Sequence, residues 1–540
     1  MHRNQAVPLS QTRRFTVWST FLLFGLIPFL AQQGLAQQVQ RNPILIQSNH
    51  VRTTVPLRDM KEVPVLNTLK EMPELDEPVF AHVSKQKDAV AQDITTAPPV
   101  KTQNLLSFSG ITGVQGGGYS PPDTNSAVGG TQVVETVNLA YAIYNKTNGS
   151  VIKAPTSIRT LYVPLGGLCG STGNLSDPVA TWDKAAQRWV ISIIAYANNF
   201  SSNALCVAVS TSPDATGTYN LYSFNYNNVL PDYPKLGVWP DAYYVTTNSY
   251  PNGGNFSGAE SCALNRAKML AGQAAGNAVC FQRSSSDYTL LPADLDGTTP
   301  PPSGAPNFEV DLNANSSNQM NLYKFHVDFV NVGNSTFTGP TLLSIASYTD
   351  VCINTGRACI PQPSPGEKVD GRGGKLMHRL AYRNFGDHEA MVTTHSVVPT
   401  SGSATAASRW YEIRNPSSSP TIFQQGTVVH PTISVWNGSM AIDKAGDIAL
   451  GASASSSAQK PTIAYVGRVP SDALGKMESP FVVIVGTGVQ VGGFNRWGDY
   501  SSMQVDPADD CTMWYTTMYY TSNGSNWNTR MNSFKFNNCQ

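Results

Sequence analysis

Several chemistries are excluded by what this 540-residue sequence lacks. It has no G-x-S-x-G elbow, no glycine-rich phosphate loop ending in Lys-Ser or Lys-Thr, and no EF-hand loop. No C-x-x-C spacing is present, so a cysteine zinc site is not expected. His388 and Glu389 are followed by His395 rather than by the H-E-x-x-H spacing of a helical zinc pair. Charge is scarce: Asp, Glu, Lys and Arg make up 13% of the chain, and 36 basic side chains balance 36 acidic ones. No net field draws nucleic acid or an anionic membrane, so neither is expected as a partner.

Long apolar runs are absent after the start of the chain. Residues 1–36 combine Arg13 and Arg14, an apolar run over 15–31 and small residues ending at Ala36, the three parts of a secretory signal peptide. No later stretch approaches the roughly 18 apolar residues of a membrane helix. The expectation is a secreted or periplasmic chain, monomeric and free of the membrane once the signal is cleaved after Ala36. Glycine is absent from residues 37–102, which mix Lys, Glu, Asp and Pro without an apolar period. This stretch, 37–103, reads as an extended lead segment or propeptide, with a short helix around Val65 to Glu71.

From residue 104 to 540 the texture is that of one β-domain, apolar runs broken by Gly, Pro, Asn and Asp. Val133 to Tyr144, followed by Lys146-Thr147-Asn148-Gly149 and a return over 150–155, reads as a hairpin because Asn-Gly supplies the turn's positive φ angles. Strand-turn-strand units begin near Pro122, Ser176, Asp232, Leu290, His378, Gly438 and Asp499, at intervals of 54, 56, 58, 88, 60 and 61 residues. Near-equal spacing argues for radial repetition, so the predicted fold is all-β, a seven-bladed β-propeller. The last repeat holds only three strands, and Leu105 to Ile111 would supply the fourth and hide both edges. The alternative is two β-sandwich domains meeting near residue 300.

The eight cysteines all follow the signal, an even count that suits disulfides in an exported chain. Short separations make Cys262 with Cys280, Cys352 with Cys359 and Cys511 with Cys539 the simplest pairs, leaving Cys169 with Cys206. Eight cysteines allow 105 pairings, so other connectivities stay open.

In a propeller the innermost strands start beside the central channel, so Asp123, Asp177, Asp232, Asp294, His378 with Arg379, Ser439, and Asp499 with Tyr500 should converge. Such a ring would hold acid/base pairs or a hard cation such as calcium; the alternative is that aspartates at strand entries cap turns. The segment 377–390 concentrates His378, Arg379, Arg383, Asp387 and His388, with arginine forks suited to a carboxylate. It reads either as an acidic-sugar site or as an ion-pair network between blades. Trp239 and Trp497 are candidate sugar platforms, although most tryptophans of a β-domain are core.

The phrases Pro121-Pro122-Asp123-Thr124-Asn125, Asp232-Tyr233-Pro234-Lys235-Leu236-Gly237-Val238-Trp239, the run 378–389 and Arg496-Trp497-Gly498-Asp499-Tyr500-Ser501 together resemble a group of exported bacterial propeller-like proteins. The resemblance spans most of residues 107–539 and implies export and one repeated domain; it carries no catalytic residues with it. The stretch 208–219 is similar to turns of propeller glycosidases. The expected function is therefore a carbohydrate-active propeller that binds a polysaccharide or glycoconjugate at the channel mouth and cleaves it as a glycoside hydrolase or polysaccharide lyase. Hydrolysis would use two of Asp123, Asp177, Asp232 and Asp499. Elimination would use His378 or Tyr500 as base and Arg379 or Arg383 on the uronate. No cofactor is required by any motif. The alternative is a non-catalytic binding or adhesion propeller with a structural calcium.

Overall fold

The computed structural model describes residues 38–540 apart from 52, 67–69, 74, 79, 81, 354–355, 401–402, 404 and 493. The signal segment and its cleavage point lie outside the described residues. Among those described, no helix is long and apolar enough to cross a membrane.

The molecule is all-β. Strands in chain order form antiparallel meanders over residues 125–157, 174–227, 229–282, 291–344, 380–429, 434–485 and 502–536. Tight turns explain the meanders, because neighbouring antiparallel strands need only a few residues between them. The run from Val133 to Tyr144 is two strands, not one: Asn138 and Leu139 turn between Gln132–Val137 and Ala140–Asn145. The Asn-Gly turn then leads to Val151–Ser157, with Gly149 at φ +71°. The last meander has three strands of its own, and Thr102–Thr112 pairs antiparallel with Asn528–Phe536 as the fourth.

The first strands of successive meanders are neighbours. Asn125–Val128 packs beside Asn174–Asp183, then Val229–Val238, Leu291–Asp296, Leu380–Asn384, Ser434–Ile442 and Ser502–Val505, which touches Asn125–Val128 again. Leu291–Asp296 and Leu380–Asn384 are also joined by a short parallel ladder. A boundary between two sandwiches near residue 300 has no counterpart, since it would fall inside the meander 291–344, and residues 37–540 form one compact unit.

The lead segment is built into these sheets. Val39–Gln40, Ile44–Ile46 and Ser48–Val51 add to the outer strands of the fourth, third and second meanders in turn. Ala91–Asp93 adds to the fifth, Pro99 bridges to Ser479, and Thr102–Thr112 completes the seventh. Each addition covers an otherwise open edge. Between the two halves the chain crosses from Met72, hydrogen-bonded to Ser120, to His82, paired with Asp350. The helix expected around Val65 to Glu71 falls partly on 67–69, outside the described residues; Glu71 itself bridges to Ser120 in extended form.

The four disulfides are Cys169–Cys206, Cys262–Cys280, Cys352–Cys359 and Cys511–Cys539, the simplest pairing. The core lies between the sheets, and Trp189, Trp239, Trp410, Trp436, Trp497 and Trp527 are all fully buried in it.

Candidate functional site

The entries to the first strands share a local device. Asp123, Asp177, Tyr233, Thr289 and Asn437 all have φ between 49° and 56°. At Asp177, Tyr233 and Asn437 the ladder to the next strand slips by a bulge. A bulge re-aims a side chain, and the left-handed conformation is one that Asp and Asn tolerate but Tyr and Thr rarely adopt. The effect is to turn Asp123, Ser176, Asp177 and Asp232 toward one cavity of about 20 Å³, which they share with Arg496 and Asp499. Such a space holds about one water.

Asn138, at the turn missed in the run 133–144, couples two of these carboxyls. Its Nδ2 donates to Asp123 Oδ2 at 2.7 Å, and its Oδ1 accepts from the Asp177 amide at 3.0 Å. Asp123 Oδ1 accepts from the Asp499 amide at 2.8 Å. Asp177 also accepts from Ser176 Oγ.

The carboxyls differ in proton affinity. Burial, followed by the neighbouring charges of Asp177 and Asp499, pushes Asp232 up to about 8. Asp123 and Asp177 are raised by burial and by Asp499. Burial opposes ionisation of Asp499 too, but Arg372 and Arg496 outweigh it and hold this carboxyl at about 2. The distances agree: Arg372 Nη1 and Arg496 Nη2 each lie 3.2 Å from Asp499 Oδ1. Lys235 is depressed to about 7 by burial, with its Nζ 3.3 Å from the ring centre of Tyr233 and 4.2 Å from that of Tyr500.

Beside Lys235 stand Tyr500 and His378, their ring centres 6.0 Å apart. Asn125 Nδ2 donates to His378 Nε2 at 3.1 Å, and burial holds the imidazole well below its ordinary value, so it is neutral. That corrects the expectation of a histidine exchanging protons near neutral pH. The Tyr500 hydroxyl donates to the Pro178 carbonyl at 3.1 Å, and burial, Asp177, Asp123 and Asp499 raise it well above 10. Neither is poised as a base.

The remaining candidates lie elsewhere. Arg379 pairs with Asp296 and Asp294 in a second small cavity lined by Val128, Trp182 and Val505, at the far ends of the same strands. Arg383 forms a fork with Asp510, both contacts at 2.8 Å. Of the two readings of segment 377–390, the ion-pair network is the one these two arginines form. Asp387 and His388 pair with each other in a surface turn, where the Asp387 side chain is 82% exposed. Trp239 and Trp497 are 1% and 0% exposed and offer no ring face. Ser439 accepts the Met503 amide as a sheet contact.

Sequence reading missed the cations beside the acids. Arg357, Arg372 and Lys375 converge on the lead-segment carboxylate Glu77, and Arg372 also reaches Asp370 at 2.8 Å. The available signal was Asp370-Gly371-Arg372-Gly373-Gly374-Lys375, a basic glycine-rich loop, set against the acidic run Glu74-Leu75-Asp76-Glu77. Among the described residues, the groups of three whose ligand atoms lie within 4.8 Å are Glu260, Cys262, Cys280 and Asp443, Asp447, Cys539, and both include disulfide cysteines.

No family model and no curated protein matches the chain. Among solved structures, the chain is similar to the WD40 domain of SCAP from fission yeast, with 9% identity, TM-score 0.32, and coverage of 75% of this chain and 82% of that one. It is also similar to an α-L-arabinanase from Penicillium chrysogenum, at 10% identity and TM-score 0.30 over 68% and 94% of the two chains. A third is an exo-β-1,3-galactanase from Phanerochaete chrysosporium, at 10% and 0.29 over 85% and 97%. Likeness at these scores lends nothing to the choice of substrate.

Proposed function

We propose that the chain is an exported seven-bladed β-propeller, completed by Thr102–Thr112, that hydrolyses a polysaccharide or glycoconjugate at its axial aspartates. The observation that carries this reading is the split within one cavity: Asp232 is pushed up to about 8 while Asp499 is held at about 2. Glycosidic hydrolysis needs such a pair, one carboxyl to protonate the leaving oxygen and one carboxylate to activate water or attack the sugar. Asp232 is the acid and Asp499 the carboxylate. Asp177, tied to Asp123 through Asn138, adds to the burial that raises Asp232, and Asp123 holds the Asp499 amide. Hydrolysis is favoured over elimination because His378 and Tyr500 hold their lone pair and proton in hydrogen bonds. The chemistry calls for no cofactor.

The test is a digestion panel of neutral and acidic glycans scored for new reducing ends, run beside Asp232→Asn and Asp499→Asn variants whose melting profiles stay cooperative. Turnover by the parent chain that falls by about 100-fold or more in each variant supports the pair. No product from any glycan removes the enzymatic reading and leaves a binding or adhesion propeller, for which stability lost to a chelator would reveal a structural cation.

A further inference from the structure

Glu77 sits where a ligand's carboxylate would. It lies in the stretch that crosses the axial face, and among described residues none from Pro73 to Pro78 makes a backbone hydrogen bond to another backbone group. Among the described residues the stretch is held by side chains: Leu75 packs against the core, Glu77 Oε1 meets Lys375 Nζ, and Arg357 Nη2 and Arg372 Nη2 lie 3.5 Å from it. Arg372 and Lys375 are wholly buried, whereas Glu77 is 23% exposed. Two of the three cations are therefore interior, while Arg357, 30% exposed, and Glu77 meet them from the surface side. Arg372 Nε has no hydrogen-bond partner, so the guanidinium has a donor to spare. With Glu77 taken away, Arg357, Arg372 and Lys375 lose a shared anion and keep the carboxylates of Asp370 and Asp499 as neighbours.

Space lies beside the cradle. A cavity of about 240 Å³ is bounded by Glu77, Arg357, Arg372 and Phe80, with Asp76, Asp350 and Asp370 also on its wall, room for one sugar ring whose carboxylate faces the two arginines. The four aspartates behind it have room for about one water while the stretch is in place. Glu77 lines that space as well, and Arg372 links the two places by touching both Glu77 and Asp499.

We infer that Glu77 is a built-in competitor occupying a carboxylate-binding cradle of Arg357, Arg372 and Lys375, and that the ligand replacing it is a uronic acid residue of an acidic glycan. For the class of ligand this rests on the carbohydrate reading above. A tethered competitor is present at high effective concentration, so the parent chain binds the acid weakly, and losing the tethered carboxylate removes that burden.

The experiment is calorimetric titration of the full chain, Glu77→Ala and Glu77→Gln with D-glucuronate, D-glucose and propionate. Glu77→Gln keeps the side chain's shape, so one variant remains if the other unfolds. The expected result is glucuronate binding at least tenfold tighter in either variant than in the parent, with glucose unchanged. Equal glucuronate affinity in parent and variants overturns the inference. So does binding of propionate without glucuronate, which would mean that the cradle takes a carboxylate but no sugar. Because this readout is binding, it separates from turnover: a Glu77 variant that cleaves neutral glycans but ignores glucuronate keeps the hydrolase and loses the competitor. Tight glucuronate binding with no cleavage of any glycan does the reverse.

Discussion

The backbone amide of Asp499 donates to Oδ1 of Asp123 at 2.8 Å, tying the start of the seventh meander to the start of the first. The other oxygen of Asp123 accepts from Asn138, which is itself fully buried. Asp123→Ala would strand both donors away from water, at a cost of about 2–4 kcal/mol for the two. Asp123→Asn keeps an acceptor for one of them and should cost less. Denaturant unfolding of the two variants checks the order, and equal stabilities would mean that water replaces the carboxyl.

The C-terminal strand is held covalently as well. Cys511 and Cys539 stand 28 positions apart and enclose Asn528–Phe536, the strand against which Thr102–Thr112 pairs. Replacing both cysteines by serine should cost about 3–4 kcal/mol by loop-closure entropy, against about 2 for the seven-residue separation of Cys352 and Cys359. Thermal melts of the two double variants test this, with the larger fall expected for the C-terminal pair.

Asp123, Asp177, Asp232 and Asp499 were legible because each sits at a repeat's entry, and the repeat was legible because its turns recur. Asp294 was placed with them wrongly. The entry of its strand is Thr289, in the left-handed conformation, and Asp294 lies further along Leu291–Asp296 with Arg379 and Asp296. Arg383 fails for a related reason: at about 3.3 Å per residue a strand carries it some 16 Å beyond His378. Tyr500 and His378 reach the axis, but their protonation depends on burial and on hydrogen bonds that no local pattern encodes. Glu77 was hidden because its partners lie about 300 positions away, and charge complementarity between a lead segment and a loop has no period.

Packing between the sixth and seventh meanders rests on a glycine. A Cβ at Gly451 would stand 2.5–2.6 Å from the ring carbons of the fully buried Tyr515. Gly451→Ala should destabilise by about 1–3 kcal/mol, the usual range for overpacking. Gly130, with nothing within 4 Å of its Cβ position, is the control, and Gly130→Ala should be near neutral. If both alanines are neutral, the ring of Tyr515 has slack that the packing does not show.

The protein should melt at a higher temperature at pH 5 than at pH 8. Burial pushes Asp232, Glu309 and Asp443 up to about 8, and Glu135 and Glu260 to about 7. Each is protonated in the fold but ionised in the unfolded chain above about pH 4. The native state therefore binds more protons, and each contribution, complete below the unfolded pKa, is lost as pH rises through the folded value. Other groups oppose this. His378, His395 and His430 are held below their ordinary value by burial, so acid favours the unfolded chain through them, and Lys235, at about 7, and Lys375, at about 8, lose a little between pH 8 and 7. Asp499, at about 2, stays ionised across the window and contributes no slope. The five raised carboxyls, joined by Asp294 at about 6 and by Asp123, Asp177 and Asp311, all raised by burial, outnumber the opposing groups. Calorimetric scans at pH 5, 6.5 and 8 should show a steady fall, and Glu309→Gln, which cannot ionise, should flatten part of it. A melting temperature that rises with pH would mean that the interior carboxyls ionise in the fold, and Asp232 would then have no proton to donate to a leaving sugar.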